Sequence, residues 1–142
     1  MPEHTQVKVS VLAYIVKDNK ILFQRRFNTG WEDGKYTVPS GRVDKGELPK
    51  EALIRELKEE LGIDVKNEDL QFIYSNFIRD KYSIFMFKVN NWQGEPKIME
   101  PDKCDELTWF DLENLPENIL GRGKEVLADV LTGVTYREYD AF

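Results

Sequence analysis

Glu56, Glu59 and Glu60 fall within the segment GRVDKGELPKEALIRELKEELGI, residues 41–63. On a helix turning about 100° per residue, they occupy an arc of roughly 100°. Like charges at three- and four-residue spacing repel by a few tenths of a kcal/mol per pair. Clustered carboxylates suit a hard divalent cation. Mg2+ keeps several waters while taking one or two carboxylates plus phosphate oxygens. Such an ion polarises a phosphoryl oxygen and lowers the pKa of a water. Hydrolysis of a phosphate–phosphate linkage fits, because there positioning and charge stabilisation do most of the catalysis. Charge-rich helix faces are common, so an isolated E-x-x-E-E run reads first as a solvated surface.

The carboxylates need a scaffold. Leu53, Ile54, Leu57 and Leu61 share a face centred roughly 120° from them. A helix over residues 49–61 therefore docks on a sheet with its acidic stripe at the edge of the contact. Pro49 suits its first turn and Gly62 its end. Residues 7–16 and 21–27 read as strands joined by a turn at 17–20, and residues 28–35 as a glycine-containing loop. Residues 36–41 read as one short strand. Strong strands follow at 70–78 and 82–89, joined by the turn at 79–81. A long loop covers 90–106, longer than a hairpin needs. A strand at 107–110 and a helix over about 122–132 come next. That helix is expected to turn Val126, Leu127, Val130 and Leu131 inward. The tail reads as either an extra strand or a disordered end. The order predicts an α/β domain, a mixed sheet with helices on both faces.

The chain has 142 residues, 41% of them hydrophobic and 12% aromatic, enough to bury a core as a single domain over 1–142. No apolar run approaches the ~20 residues of a membrane-spanning helix, and the polar start MPEHTQVKV lacks a signal-peptide pattern. No membrane partner is expected, and the expected location is cytoplasmic. The formal charge of −6 argues against binding long nucleic acid through a basic face. Cys104 is the only cysteine, which fits a reducing compartment, and His4 is the only histidine. Zinc chemistry of the His/Cys kind and a Ser-His-Asp mechanism both lack the residues they need.

Around the acids the segment reads G-x5-E-x7-R-E-U-x-E-E-x-G-U, with U aliphatic: Gly41, Glu47, Arg55, Glu56, Leu57, Glu59, Glu60, Gly62 and Ile63. This resembles the signature of the Nudix hydrolases at every defined position. The resemblance implies a Nudix-type α/β/α sandwich around a mixed β-sheet. It also implies cleavage of nucleoside diphosphates linked to another moiety, with Mg2+ or Mn2+. Residue by residue, it makes Glu56, Glu59 and Glu60 metal ligands, joined by the Gly41 carbonyl. Glu56, Glu59 and Arg55 become the catalytic set. Glu56 would be the general base, and Arg55 would act through a structural brace with Glu47. WQGEPKIME, residues 92–100, resembles a stretch of MutT-like members in which a glutamate reaches the metal, here Glu100; Asp102, Asp105 and Glu106 are neighbouring substitutes.

Two departures from the family stand out. Leu48 occupies the place of a helix-capping Ser or Thr, which puts the helix start in question by a residue or two. Ser40 and Arg42 stand where Gly and His are usual. Arg25, Arg26 and Arg42 are candidate phosphate partners, although strand alternation lets only one of Arg25 and Arg26 face the site easily. Phe27, Trp31, Tyr36, Phe77 and Phe85 are candidate base contacts, since aromatic faces stack on bases. Asn118 resembles the asparagine that MutT-like members present to a purine. The expected partner is a nucleotide, first a (deoxy)nucleoside triphosphate yielding monophosphate and pyrophosphate. ADP-ribose or a nucleotide sugar, and a non-catalytic nucleotide-sensing module, are the alternatives. The oligomeric state stays open, a homodimer being compatible.

Overall fold

Two sheets form the centre of the computed structural model, which describes residues 2–141. The first has the order β5-β1-β7-β6-β9. It contains β1 (Lys8–Tyr14), β5 (Ser40–Arg42), β6 (Leu70–Ile78), β7 (Tyr82–Val89) and β9 (Tyr136–Tyr139). The β1–β7 and β6–β9 pairs are parallel, while β1–β5 and β6–β7 are antiparallel. In the second sheet, β3 (Lys20–Arg26) pairs with β2 (Val16–Lys17), β4 (Tyr36–Thr37) and β8 (Cys104–Asp111). The helices are α1 (Pro49–Leu61) and α2 (Gly123–Leu131). This is the expected mixed-sheet α/β sandwich.

Alternation along β1 divides the core. Val11 and Ala13 join Leu53, Leu57, Leu61 and Phe87 in one apolar cluster beside α1. Tyr14 joins Phe23, Tyr74, Met86, Val126 and Leu127 in a second beside α2. Helices cover both faces for that reason.

The helix carrying the acids begins at Pro49 as expected, despite Leu48. Glu51 reaches back and accepts the Leu48 backbone N–H at 2.8 Å, supplying the half of a capping box that needs no serine. At the other end Gly62 adopts φ 70°, a left-handed stop suited to glycine, and its N–H closes on the Lys58 carbonyl at 3.1 Å.

Several boundaries differ from the sequence reading. Residues 36–41 form two strands in different sheets, β4 on β3 and β5 on β1. Pro39 has no N–H to extend a ladder; its carbonyl accepts the Ala13 N–H at 2.8 Å as the chain crosses between sheets. This crossing lays Ser40, Gly41 and Arg42 along β1 and against α1. The final sheet-two strand begins at Cys104, inside the expected loop, because Arg26 pairs with Cys104 across a bulge. The tail forms a strand on β6. On α2, Val126 and Leu127 are buried, Val130 is half-buried and Leu131 is exposed, since nine residues place only one narrow face on the sheet.

Candidate active site

Leu53, Leu57 and Leu61 are fully buried, which fixes the rotation of α1 and leaves the acids at the rim. Burial is graded across them. The Glu59 side chain is 53% exposed and that of Glu56 18%, while Glu60 has Oε2 buried with no hydrogen-bond partner. Arg55 ties the group together. Its Nε donates to Glu47 Oε2 at 2.8 Å and its Nη2 to Glu47 Oε1 at 2.9 Å. Nη1 donates to Glu56 Oε1 at 2.7 Å and reaches Glu59 Oε2 at 3.4 Å. Nη2 also meets the Arg42 carbonyl at 3.1 Å. A planar fork can serve all these acceptors; a lysine is a point donor and cannot. Arg55→Lys is therefore expected to lower the melting temperature and to cut activity by about 10–100-fold, the range for residues that orient a site from behind. Thermal melts and steady-state rates check this, and unchanged values in both would remove the brace.

The same contacts set the charges. The Arg55 guanidinium, with the Asp44 N–H, holds the Glu47 carboxyl down at about 2. Glu56 is raised by burial, which outweighs the opposing pull of Arg55. Glu60 is pushed up to about 9, first by burial and then by the negative charges of Glu56 and Glu100, against a hydrogen bond from the Ser40 backbone. A carboxyl so disfavoured as an anion, with an unpaired buried oxygen, is suited to an incoming positive charge.

Gly41 lies directly against Glu56. A Cβ there would stand 2.2 Å from both Glu56 Cγ and Cδ and 2.6 Å from Oε1. Gly41→Ala must displace the Glu56 carboxylate. Since a misplacement near 1 Å costs on the order of 100-fold, a rate loss of that size is expected with the fold retained. A variant with the parental kcat would show that the close approach has no role.

Beside these residues is a cavity of about 470 Å3 whose wall includes Gly41, Glu60, Glu100, Arg25, Arg26 and Arg42. Both Arg25 and Arg26 line it, contrary to the alternation argument, because the register of β3 against β8 shifts between them. Arg25 is gripped by Asp105 at 2.8 and 2.6 Å. Arg26 donates to the Trp31 carbonyl and the Thr29 hydroxyl, each at 2.8 Å. Arg42 stacks over Tyr82 at 4.7 Å. Glu100 stands 3.8 Å from Lys103 Nζ. The substitutes for Glu100 are engaged elsewhere in two cases: Asp105 by Arg25, and Glu106 by the Tyr36 hydroxyl at 2.5 Å. Lys103 and the buried Gln24 also line this cavity. Sequence reasoning passed over both; the i,i+3 spacing of Glu100 and Lys103 was the available signal.

The aromatic candidates scatter. Trp31, 60% exposed, stands at the cavity wall. Phe27 is exposed and outside that wall, and Phe85 packs on the α1 side of the sheet. Asn118 donates to the Gly34 carbonyl at 2.8 Å and so anchors the loop after β3. A second, apolar cavity of about 540 Å3 lies between the first sheet and α2, sharing Leu12 and Thr37 with the first.

Among the described residues, no group of three Asp, Glu, His or Cys side chains forms a complete metal cage. Arg55 holds Glu56 and Glu59, and mutual repulsion gives the acids no reason to converge. The donor set nonetheless fits a hard divalent cation. It offers carboxylate oxygens, an orphaned Glu60 oxygen and a glycine whose missing side chain lets its backbone lie against Glu56.

A family model described as NUDIX domain matches residues 5–130. The chain is 38% identical over 112 residues to an ADP-ribose pyrophosphatase of Methanocaldococcus jannaschii, covering 77% of this chain and 64% of that protein. It is 48% identical over 62 residues to an 8-oxo-dGTP diphosphatase of Haemophilus influenzae, covering 41% of this chain and 43% of that one. The matches thus span less than two thirds of either relative. The crystal structure of a MutT NUDIX hydrolase from Burkholderia pseudomallei superposes with a TM-score of 0.76 at 29% identity, covering 87% of this chain and 97% of that one.

Proposed function

The chain belongs to the Nudix hydrolase family, and from that premise we propose that it hydrolyses a pyrophosphate bond in a nucleotide. The substrate we propose first is a (deoxy)nucleoside triphosphate, cleaved by water to the monophosphate and pyrophosphate. The observation that carries this reading is the buried, unpaired Glu60 carboxylate oxygen beside a cavity lined by arginines. A site that receives both a cation and an anion suits that combination.

Glu56, Glu59, Glu60, Glu100 and the Gly41 carbonyl would hold Mg2+, or Mn2+ in its place. That ion would supply charge neutralisation and a more acidic water. The protein's own residues do the rest. Arg25, Arg26 and Arg42 bind and orient phosphate oxygens. Glu56 accepts the proton of the attacking water; Arg55 occupies its Oε1, which leaves Oε2 for that task. Glu47 fixes Arg55. The apolar cavity adjoining the basic one takes the base and sugar end.

A second reading, hydrolysis of ADP-ribose or a nucleotide sugar, is favoured by the name of the Methanocaldococcus jannaschii relative. A panel of nucleoside triphosphates, ADP-ribose and nucleotide sugars with Mg2+, read by product identity, separates the two. Release of pyrophosphate from triphosphates supports the first. Turnover confined to ADP-ribose, yielding two monophosphates, moves the assignment to the second. Tight nucleotide binding with no turnover makes the chain a sensing module. We place the enzyme in the cytoplasm as one domain over residues 1–142. Its partner is a small nucleotide, not a membrane or long nucleic acid, a reading supported by the net charge of −6. No helix among the described residues is long and apolar enough to cross a membrane.

A further inference from the structure

The wall of the apolar cavity includes two residues that each carry one buried polar atom without a partner. Asn76 is 2% exposed and lies between Tyr74 and Ile78 on the inward side of β6, where alternation calls for an apolar residue. Its Oδ1 has no partner, and its Nδ2 reaches the Tyr74 hydroxyl only at a long 3.4 Å. Arg122 stacks over Tyr139 at 4.0 Å, donates through Nη2 to the Ala141 carbonyl at 2.8 Å and pairs through Nη1 with Glu125 at 3.5 Å, yet its Nε is buried without a partner. Both residues line the cavity, whose remaining wall includes Leu12, Phe23, Ile84 and Met86. Buried polar atoms are almost always paired, so each exception needs a cause. A binding cavity fixes the orientation of its ligand with a few such groups set among apolar walls.

Resting on the reading of this chain as a nucleotide hydrolase, we propose that Asn76 determines recognition of the base. Its amide oxygen accepts an N–H from the heterocycle, and Arg122 Nε donates to a ring nitrogen or carbonyl oxygen of the same base. A heterocycle carrying both a donor and an acceptor matches this pair, and a bare sugar phosphate does not. The shared residues Leu12 and Thr37 place such a base next to the cavity that takes the phosphates.

The test is equilibrium binding to the full chain in Mg2+ buffer by calorimetry. The ligands are ribose 5-phosphate, the four common nucleoside 5′-monophosphates, and the analogue of the tightest binder with its base N–H groups methylated. The tightest monophosphate should bind at least about 10-fold more strongly than ribose 5-phosphate. Methylation should cost about 10-fold in the wild type, the size of a single well-formed hydrogen bond. In Asn76→Leu the methylation penalty should shrink to less than about 2-fold. The variant should fold, because replacing a poorly paired amide within an apolar wall removes a desolvation cost. No preference over ribose 5-phosphate, no wild-type methylation penalty, or an undiminished penalty in Asn76→Leu would each overturn the proposal. The wild-type comparison decides even if the variant does not fold. Because the readout is binding, a chain that shows this pattern without turnover loses the hydrolase assignment and keeps the role of Asn76. A chain that hydrolyses nucleotides with an undiminished penalty does the opposite.

Discussion

Glu60→Gln is expected to fold and to lose at least about 100-fold in kcat with Mg2+ present. A ligand should cost no less than the 10–100-fold attached to the residues behind it. The fold survives because the wild-type carboxyl, pushed up to about 9, is already neutral at pH 7 without a cation. Glutamine reproduces that neutral group. The sign of the pH dependence follows. The folded pKa lies above the ordinary value of 4.5, so the stability contributed by protonated Glu60 is complete below about pH 4.5. It declines as pH rises and is gone above about 9. Glutamine does not titrate. In chelator-treated samples, Glu60→Gln should therefore match the wild type near pH 4.5 and melt progressively higher than it toward pH 9. Adding Mg2+ should raise the wild-type melting temperature, since the ion binds the native state, and should leave the variant unchanged. Near-wild-type turnover in Glu60→Gln would mean that Glu60 holds no cation.

Glu56→Gln addresses the proton. Glutamine keeps an oxygen for Arg55 Nη1, the contact found at 2.7 Å, so the local structure has no cause to collapse. It cannot accept a proton from water at neutral pH. Removing a general base costs about 10²–10⁴-fold, and that loss is expected in kcat, with no recovery at saturating Mg2+. Steady-state rates across a Mg2+ titration check it. Recovery at high Mg2+ would show that Glu56 only holds the cation, and the base would then lie in another loop.

The acidic helix was legible because several local rules agree on it. Pro49 opens it, Gly62 closes it, and the leucines at 53, 57 and 61 fix which way it faces. With that rotation fixed, the position of the glutamates at the contact rim follows. The interior strand pair 70–78 and 82–89 was legible for a similar reason, dense apolar residues around the short turn RDK.

What escaped notice depends on pairing between distant segments. No local rule says that Val38 and Pro39 carry the chain from one sheet to the other, yet that crossing brings Gly41 against Glu56. The bulge between Arg25 and Arg26 arises from the pairing of β3 with β8, and it turns both arginines to one cavity. Cys104 joins a strand because Arg26 pairs with it, although the preceding loop residues carry no strand pattern. Asn76 left a trace in the sequence, a polar residue at an inward position between Tyr74 and Ile78. Its meaning appears only when α2 is seen closing the cavity on the other side.

The account rests on a divalent cation held by the acids at the rim of α1. Titrating Mn2+ into the chelator-treated protein, with free ion read by its electron paramagnetic resonance signal, tests this without any assumed substrate. The account predicts a saturable site in the wild type that is lost in Glu60→Gln. Equal Mn2+ binding by the two proteins, or none by the wild type at millimolar ion, would contradict it.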